Sequence, residues 1–421
     1  MTSSPQHRED EHDPFSEFDR SQGAGAVRDP YPRFAELRRQ SPVHQGTLSS
    51  VTGFVLDIPT AGLYGIQPEH PPYVAFSHAA VERVYRDATT FSSKTPESMG
   101  MELVMGHTIL NMDDPEHRAY RGLVQQAFSR NALARWEHEL IRPVIDRHVD
   151  AFAQRGSADL VSELTFSFPL EIIAALLGLP ESDLDTFHRL AVELLLIVTD
   201  IERGLVASEK LGEYLGAIVA ERRQQASDDI ISVLAHAELD GQRLNDDEIV
   251  AFLRLLLPAG AETTYRSSSN LLFGLLSDRA QWEAIEADRD LIPQAIEEGL
   301  RWEPPLTMTA RTCVQDTVLE GVPVTAGSEV APCIGAANHD EARWEDPDRF
   351  DILRPQRPHL AFAFGPHMCL GLHLARLETA CLLHTLLDRL PDLRLDPEAE
   401  DTHITGLVFR APARLPVVFS T

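Results

Sequence analysis

The residues whose types and spacing could do the most chemistry lie near the C-terminus, in Phe362-Ala363-Phe364-Gly365-Pro366-His367-Met368-Cys369-Leu370-Gly371. A thiol stands between two glycines, with a cationic-capable histidine two positions before it and a helical pattern directly after it. A helix N-terminus stabilises negative charge, so this setting favours thiolate over thiol. Glycine lacks a Cβ, which lets the backbone approach a flat cofactor closely. The alternative for Cys369 is a buried structural cysteine, the usual fate of an isolated intracellular thiol. The other cysteines, Cys313, Cys333 and Cys381, show no C-x-x-C spacing, which argues against a zinc finger or a disulfide scaffold.

A second constellation is Pro258-Ala259-Gly260-Ala261-Glu262-Thr263-Thr264, set in a long helical pattern. Proline and glycine two residues apart weaken a helix interior, and a charged residue follows on an otherwise apolar element. A break beside a carboxylate and a hydroxyl suggests a place where water or a small ligand enters. A helix bend with a solvated Glu is the alternative. Elsewhere Glu298 and Arg301 are three apart on one helix face, and His117 and Arg121 lie one turn apart on another.

These residues need elements to position them. From 116 to 277 the pattern is nearly all helical, with stops at Pro169, Pro180 and Gly241. Asn245 with Glu248 reads as an N-cap and its reciprocal partner, opening a helix that runs to about Leu276. That helix is roughly 45–50 Å long and apolar nearly all round, so it should cross the interior. Further helices are expected near 30–39, 77–87, 280–288, 292–302 and 370–390, with β-prone pieces at 54–58, 73–76 and between 309 and 330. Residues 1–28 are polar and read as a mobile N-terminal tail, leaving 29–421 as one mainly α domain with small β-sheets.

Composition sets outer bounds. Sixty-five acidic against 37 basic residues give a formal charge of −28, which disfavours nucleic acid and anionic membranes as partners. The most apolar stretches, 160–179 and 249–276, are interrupted by Glu163, Glu171, Arg254, Glu262 and Arg266, so no membrane span is expected. The N-terminus lacks an apolar centre of secretory type, and a cytoplasmic location follows.

The cysteine loop resembles the ligand loop of the cytochrome P-450 family, F-x-x-G-x-H/R-x-C-x-G, matching it at Phe362, Gly365, His367, Cys369 and Gly371. Ala363 departs from it, since many members carry a second glycine there. The resemblance implies a triangular, mostly α domain with haem b (iron protoporphyrin IX) between the long helix and the helix after the cysteine. It implies Cys369 as axial iron ligand, whose thiolate favours O–O cleavage. The 258–264 segment is similar to the family's A-G-x-D/E-T-T, which implies a helix bulge and proton delivery by Glu262 and Thr263, with Glu where Asp is commoner. Haem propionates want cationic donors. By the same resemblance these are His117 and Arg121, after D-D-P-E, with Arg311 beyond Pro304-Pro305, and His367. Glu298 and Arg301 match the family's E-x-x-R pair, to be joined in a buried structural network by Arg349 of Pro347-Asp348-Arg349-Phe350.

Family resemblance further implies pocket segments at 99–108, 194–198, 256–259, 306–309 and 406–408, with Val104, His107, Leu256, Ala259, Leu306, Met308 and Val408 as lining residues. Mostly apolar, they suit an apolar small molecule, whether terpenoid, steroid, fatty acid, alkane or aromatic. The activity implied is monooxygenation with O2 and electrons from NAD(P)H. No Gly-rich nucleotide unit and no iron–sulfur cysteine cluster is visible, so the electrons should come through a separate ferredoxin and ferredoxin reductase. Docking is expected near Arg118, Arg121 and Arg376, on a monomer. A peroxide-using or nitric-oxide-reducing relative would typically lack the acid or the acid–alcohol pair, and a haem-based sensor would not need a proton path.

Overall fold

The long helix is the element around which the rest packs. In the computed structural model, which describes residues 13–55 and 69–421, it spans Asp246–Ser277 without interruption. Its start is the expected capping box: Glu248 N–H donates to Asn245 Oδ1 at 2.9 Å and Asn245 N–H to Glu248 Oε2 at 2.7 Å. Buried side chains run along it from Ile249 to Leu276.

The break expected at Pro258–Gly260 does not appear, and the helix continues in α geometry through the proline. Gly260 has a packing role instead. A Cβ there would stand 2.8 Å from Ile173 Cδ1, so glycine admits the neighbouring helix Phe168–Leu176 at close range. That packing holds the helix through a position where proline forfeits one backbone bond. Single π-helical turns occur at Glu137–Ile141 and Val161–Thr165 instead.

One hydrophobic cluster runs from Val104 to Phe419 and joins the long helix to the helices Ile292–Trp302 and Leu372–Arg389. Beside it lies a five-stranded sheet, in the order Val43–Gln45, Tyr73–Ala75, Glu329–Pro332, Arg311–Cys313, Phe91–Ser92. Only the join of Tyr73–Ala75 to Glu329–Pro332 is parallel. The described residues contain three further sheets of two or three strands, so the architecture is mainly α with small β-sheets. Phe54 and Val55 are not in a strand, and positions 56–58 lie outside the described residues.

The expected mobile tail is a packed element over its described part. Asp13 caps a helix Pro14–Ser21, accepting from Phe15 and Ser16 N–H at 3.2 Å. Phe18, 4 % exposed, seats that helix against Val192 and Leu196. The polar composition hid two aromatic residues three apart on one face, and burying Phe15 and Phe18 is what orders the segment. Positions 1–12 lie outside the described residues.

Candidate active site

The cysteine loop folds back on itself before the helix Leu372–Arg389 begins. Cys369 N–H donates to Phe362 O at 3.0 Å and Met368 N–H to Gly365 O at 3.1 Å. Gly365 has φ +76°, and a Cβ there would meet the Tyr85 carbonyl oxygen at 2.6 Å. Its glycine therefore answers to the preceding helix His78–Arg86 rather than to a cofactor. Gly371 fits the original expectation: its φ is ordinary, −83°, and beyond Cys369 Sγ at 4.0 Å nothing would crowd a Cβ. The space beside the sulfur is thus left clear. Burial pushes the Cys369 thiol up, against the pull of the Gly371 and Leu372 N–H groups and of Arg121 and Arg376. The helix start alone does not make the thiolate; a bound metal cation would.

The four groups expected to serve propionates, two arginines and two histidines, gather beside this loop. His117 is 2 % exposed, and its ring lies 3.9 Å from that of His367. Arg121 Nη2 donates to Met368 O at 2.7 Å, and the Arg311 guanidinium sits over the Tyr85 ring at 5.4 Å. Ser93 Oγ is 2.9 Å from His367 Nε2. Burial drives the His367 pKa down to about 3, and the charges of His117, Arg311 and Arg121 add to the effect. His117 Nε2 is buried without a hydrogen-bond partner among the described residues. The charges of Arg121 and Arg311 and an unpartnered buried ring nitrogen beside a half-buried sulfur, in a chain of net charge −28, fit an iron centre carrying two carboxylates.

Glu262 and Thr263 are neighbours in sequence but face apart. Thr263 Oγ1 donates to Ala259 O at 2.7 Å, one turn back. Glu262, 3 % exposed, instead accepts from Arg266 Nη2 at 3.1 Å and stands 3.6 Å from His188 Nε2. Burial would raise its pKa, but His188 and Arg266 outweigh that and hold the carboxyl below its ordinary value. Sequence reading missed His188 and Arg266 as its partners. It also missed Glu378, a 1 % exposed acid on the helix after the cysteine, facing the Thr264 hydroxyl and pushed well up by burial. The available signal was a charged residue on an otherwise apolar helical stretch.

The buried structural network has a different third member from the one expected. Arg301 donates to both oxygens of Glu298 at 2.8 Å, and Arg354 Nε reaches Glu298 Oε1 at 3.2 Å. Arg349 is exposed and supplies only its carbonyl, which accepts from Arg301 at 3.2 Å and Arg354 at 2.8 Å. Both arginines follow the same Pro- and Asp-rich stretch, and chain direction after the turn decides which one enters.

Of the pocket residues, Leu256, half-buried against the core, and Ala259, exposed, share the Thr263 face of the long helix. Leu306, Met308 and Val408 are half-buried: Leu306 bridges Phe409, Thr307 N–H donates to Val408 O at 2.9 Å, and Met308 bridges Cys333. Val104 is instead 0 % exposed, its carbonyl taken by Ser208 Oγ. His107 sits between Glu102 at 3.3 Å and Glu116 at 2.7 Å. Phe362 carries Arg376 over its ring at 4.6 Å, and Arg376 in turn holds Glu297.

Similarity to known proteins agrees with this geometry. The cytochrome P-450 family model matches residues 185–406. A steroid C26-monooxygenase of Mycolicibacterium smegmatis is 35 % identical over 355 residues, covering 82 % of this chain and 87 % of that protein. Cytochrome P-450 107B1 of Saccharopolyspora erythraea is 32 % identical over 401 residues, 93 % of this chain and 95 % of its own. Among solved structures, CYP109E1 of Bacillus megaterium in complex with testosterone superposes with a TM-score of 0.81 at 30 % identity, covering 93 % of this chain and 100 % of that one. The chain belongs to the cytochrome P-450 family, and it is a haem b monooxygenase.

Proposed function

We propose that this enzyme hydroxylates a lipophilic small molecule, with Cys369 as the axial iron ligand of haem b. His117, Arg121, Arg311 and His367 hold the propionates. When bound, the haem supplies the redox chemistry of O2 activation. The chain's own groups bind the substrate among Leu256, Ala259, Leu306, Met308 and Val408, exclude water there, and hold protons at Glu262 and Thr263. Because those two face apart, Glu262 must turn from Arg266 before it can pass a proton toward the Thr263 hydroxyl. An apolar, steroid-sized substrate is supported by the Leu, Ala, Met and Val lining and by relatives named for steroids. Electrons come from NAD(P)H through a separate ferredoxin and its reductase, which dock on the cysteine face. The enzyme works as a cytoplasmic monomer; among the described residues no helix is long and apolar enough to cross a membrane.

The observation that carries the proposal is the half-buried thiol of Cys369, clear on its Gly371 side, beside four cationic-capable side chains, one with an unpartnered buried ring nitrogen. The test is the reduced, carbon-monoxide-bound absorption spectrum. Wild type should show the haem-thiolate band and Cys369→Ala should lose it. Retention of the band by Cys369→Ala would move the ligand to another cysteine.

A further inference from the structure

Both partners of Glu262 are held from outside by the N-terminal helix Pro14–Ser21. Asp19 Oδ1 accepts from Arg266 Nη2 at 2.6 Å, and the same Nη2 donates to Glu262 Oε2 at 3.1 Å. Phe15 packs its ring 4.5 Å from that of His188, the group that faces the other Glu262 oxygen. Phe18 lies under the Arg266 guanidinium at 5.8 Å. The charged and titratable groups around Glu262 are thus His188 from the helix Leu184–Leu195, Arg266 and Tyr265 from its own helix, and Asp19 from the N-terminal one. Arg266 and Glu262 side chains are 5 % and 4 % exposed, whereas Asp19 is 35 % exposed and meets water.

One guanidinium charge divided between two carboxylates, with a separate Nη2 hydrogen to each, holds each less firmly than it would hold one alone. In a buried site that difference is large, because a dry ion pair is attracted far more strongly than a wet one. Arginine cannot itself release a proton in a protein, so the pair can transmit one only if Glu262 lets go. The shorter of the two bonds goes to Asp19. Glu262 keeps an oxygen, Oε1, without a hydrogen bond among the described residues.

We propose that Asp19 is a positioning residue for proton delivery: by sharing Arg266 it keeps the Glu262 carboxylate loosely held and free to turn toward Thr263. The inference rests on the reading of Glu262 as the proton-delivering acid. It makes the N-terminal helix a working part of the site, with the partly exposed Asp19 at its water-facing edge.

The test is Asp19→Asn in the full-length holoenzyme, beside Asp19→Glu and Glu262→Gln. Asp19→Asn should keep the haem-thiolate spectrum and the substrate-induced spectral shift. Donor-driven turnover should fall about three- to tenfold, and the solvent deuterium isotope effect should rise. In infrared titration of the resting enzyme, the carboxyl band that Glu262→Gln removes should appear at lower pH in Asp19→Asn than in wild type. Asp19→Glu should bring all three back toward wild type. Asp19→Ser carries the same expectation should the amide variant fail to fold. An Asp19→Asn enzyme with wild-type isotope effect and carboxyl titration, beside a slowed Glu262→Gln, overturns this inference and leaves the acid in its role. Equal damage in Asp19→Glu also overturns it, since shape and not charge would then matter. A Glu262→Gln enzyme with undiminished turnover removes the acid reading and the inference together.

Discussion

Two backbone positions in the cysteine loop take left-handed φ, Ala363 at +57° and Gly365 at +76°. Left-handed geometry costs an L-residue with a Cβ about 1–2 kcal/mol. At Ala363 the loop bears that cost, and Ala363→Gly should leave stability unchanged or raise it by up to about 1 kcal/mol. Gly365 is different in kind, because an added Cβ would stand 2.6 Å from the backbone oxygen of Tyr85. Overpacking adds about 1–3 kcal/mol to the conformational cost. We expect Gly365→Ala to lose about 2–4 kcal/mol and to bind haem poorly, read from urea unfolding and from haem content per chain. A loss below about 0.5 kcal/mol would mean that the helix His78–Arg86 yields without effort. The sequence showed that this glycine mattered but pointed to a cofactor, because Tyr85 lies 280 positions away in the chain and leaves no local trace. The same holds for Glu262. Its motif was readable, but Asp19 and Arg266 are 247 positions apart, and only the fold brings them together.

Elements with strong local signals were legible in the sequence: the capping box of the long helix, the helix Ile292–Trp302 and the helix after the cysteine all fall within two residues of expectation. What failed were inferences from local weakness. Pro258 and Gly260 predicted a break that tight packing on Ile173 overrides, and a polar composition concealed the Phe15 and Phe18 face of the N-terminal helix. The loop that follows Trp344 shows a third kind of failure, in which two arginines competed for one buried carboxylate. Arg354 won, its side chain 10 % exposed against 5 % for Glu298. Removing one member of a buried ionic network costs about 3–5 kcal/mol when the partner is left alone. Glu298 would still have Arg301, so Arg354→Ala is expected to cost about 2–3 kcal/mol in urea unfolding. Arg349→Ala, at an exposed side chain, should stay within about 0.5 kcal/mol. The reverse order of the two would reinstate Arg349 in the network.

At the scale of the whole molecule a formal −28 bears on the electron donor proposed above, which we expect to be a small acidic ferredoxin. Repulsion between two acidic proteins lowers the encounter rate unless a local positive patch steers the approach. On the cysteine face Arg121 is committed to Met368 O and Arg376 to Glu297, so of the three arginines expected there Arg118 is the one turned to water, its side chain 82 % exposed. It pairs with Asp114 at 3.0 Å, four positions earlier on the same segment. An exposed pair of this spacing contributes only about 0.3–0.5 kcal/mol, so a docking carboxylate can displace Asp114 easily. Helix Glu116–Val124 carries Arg118 on the element whose Arg121 touches the Cys369 loop, which places this charge close to where an electron must arrive. Arg118→Glu should therefore raise the KM for the ferredoxin about five- to tenfold while leaving kcat and the haem-thiolate spectrum near wild type. Raising salt from about 50 to 300 mM shortens the screening length about two- to threefold, enough to weaken exposed pairs. Wild type should lose apparent affinity for the donor over that range, and Arg118→Glu should respond much less. Equal KM values for both proteins at low salt would place the docking site away from this face.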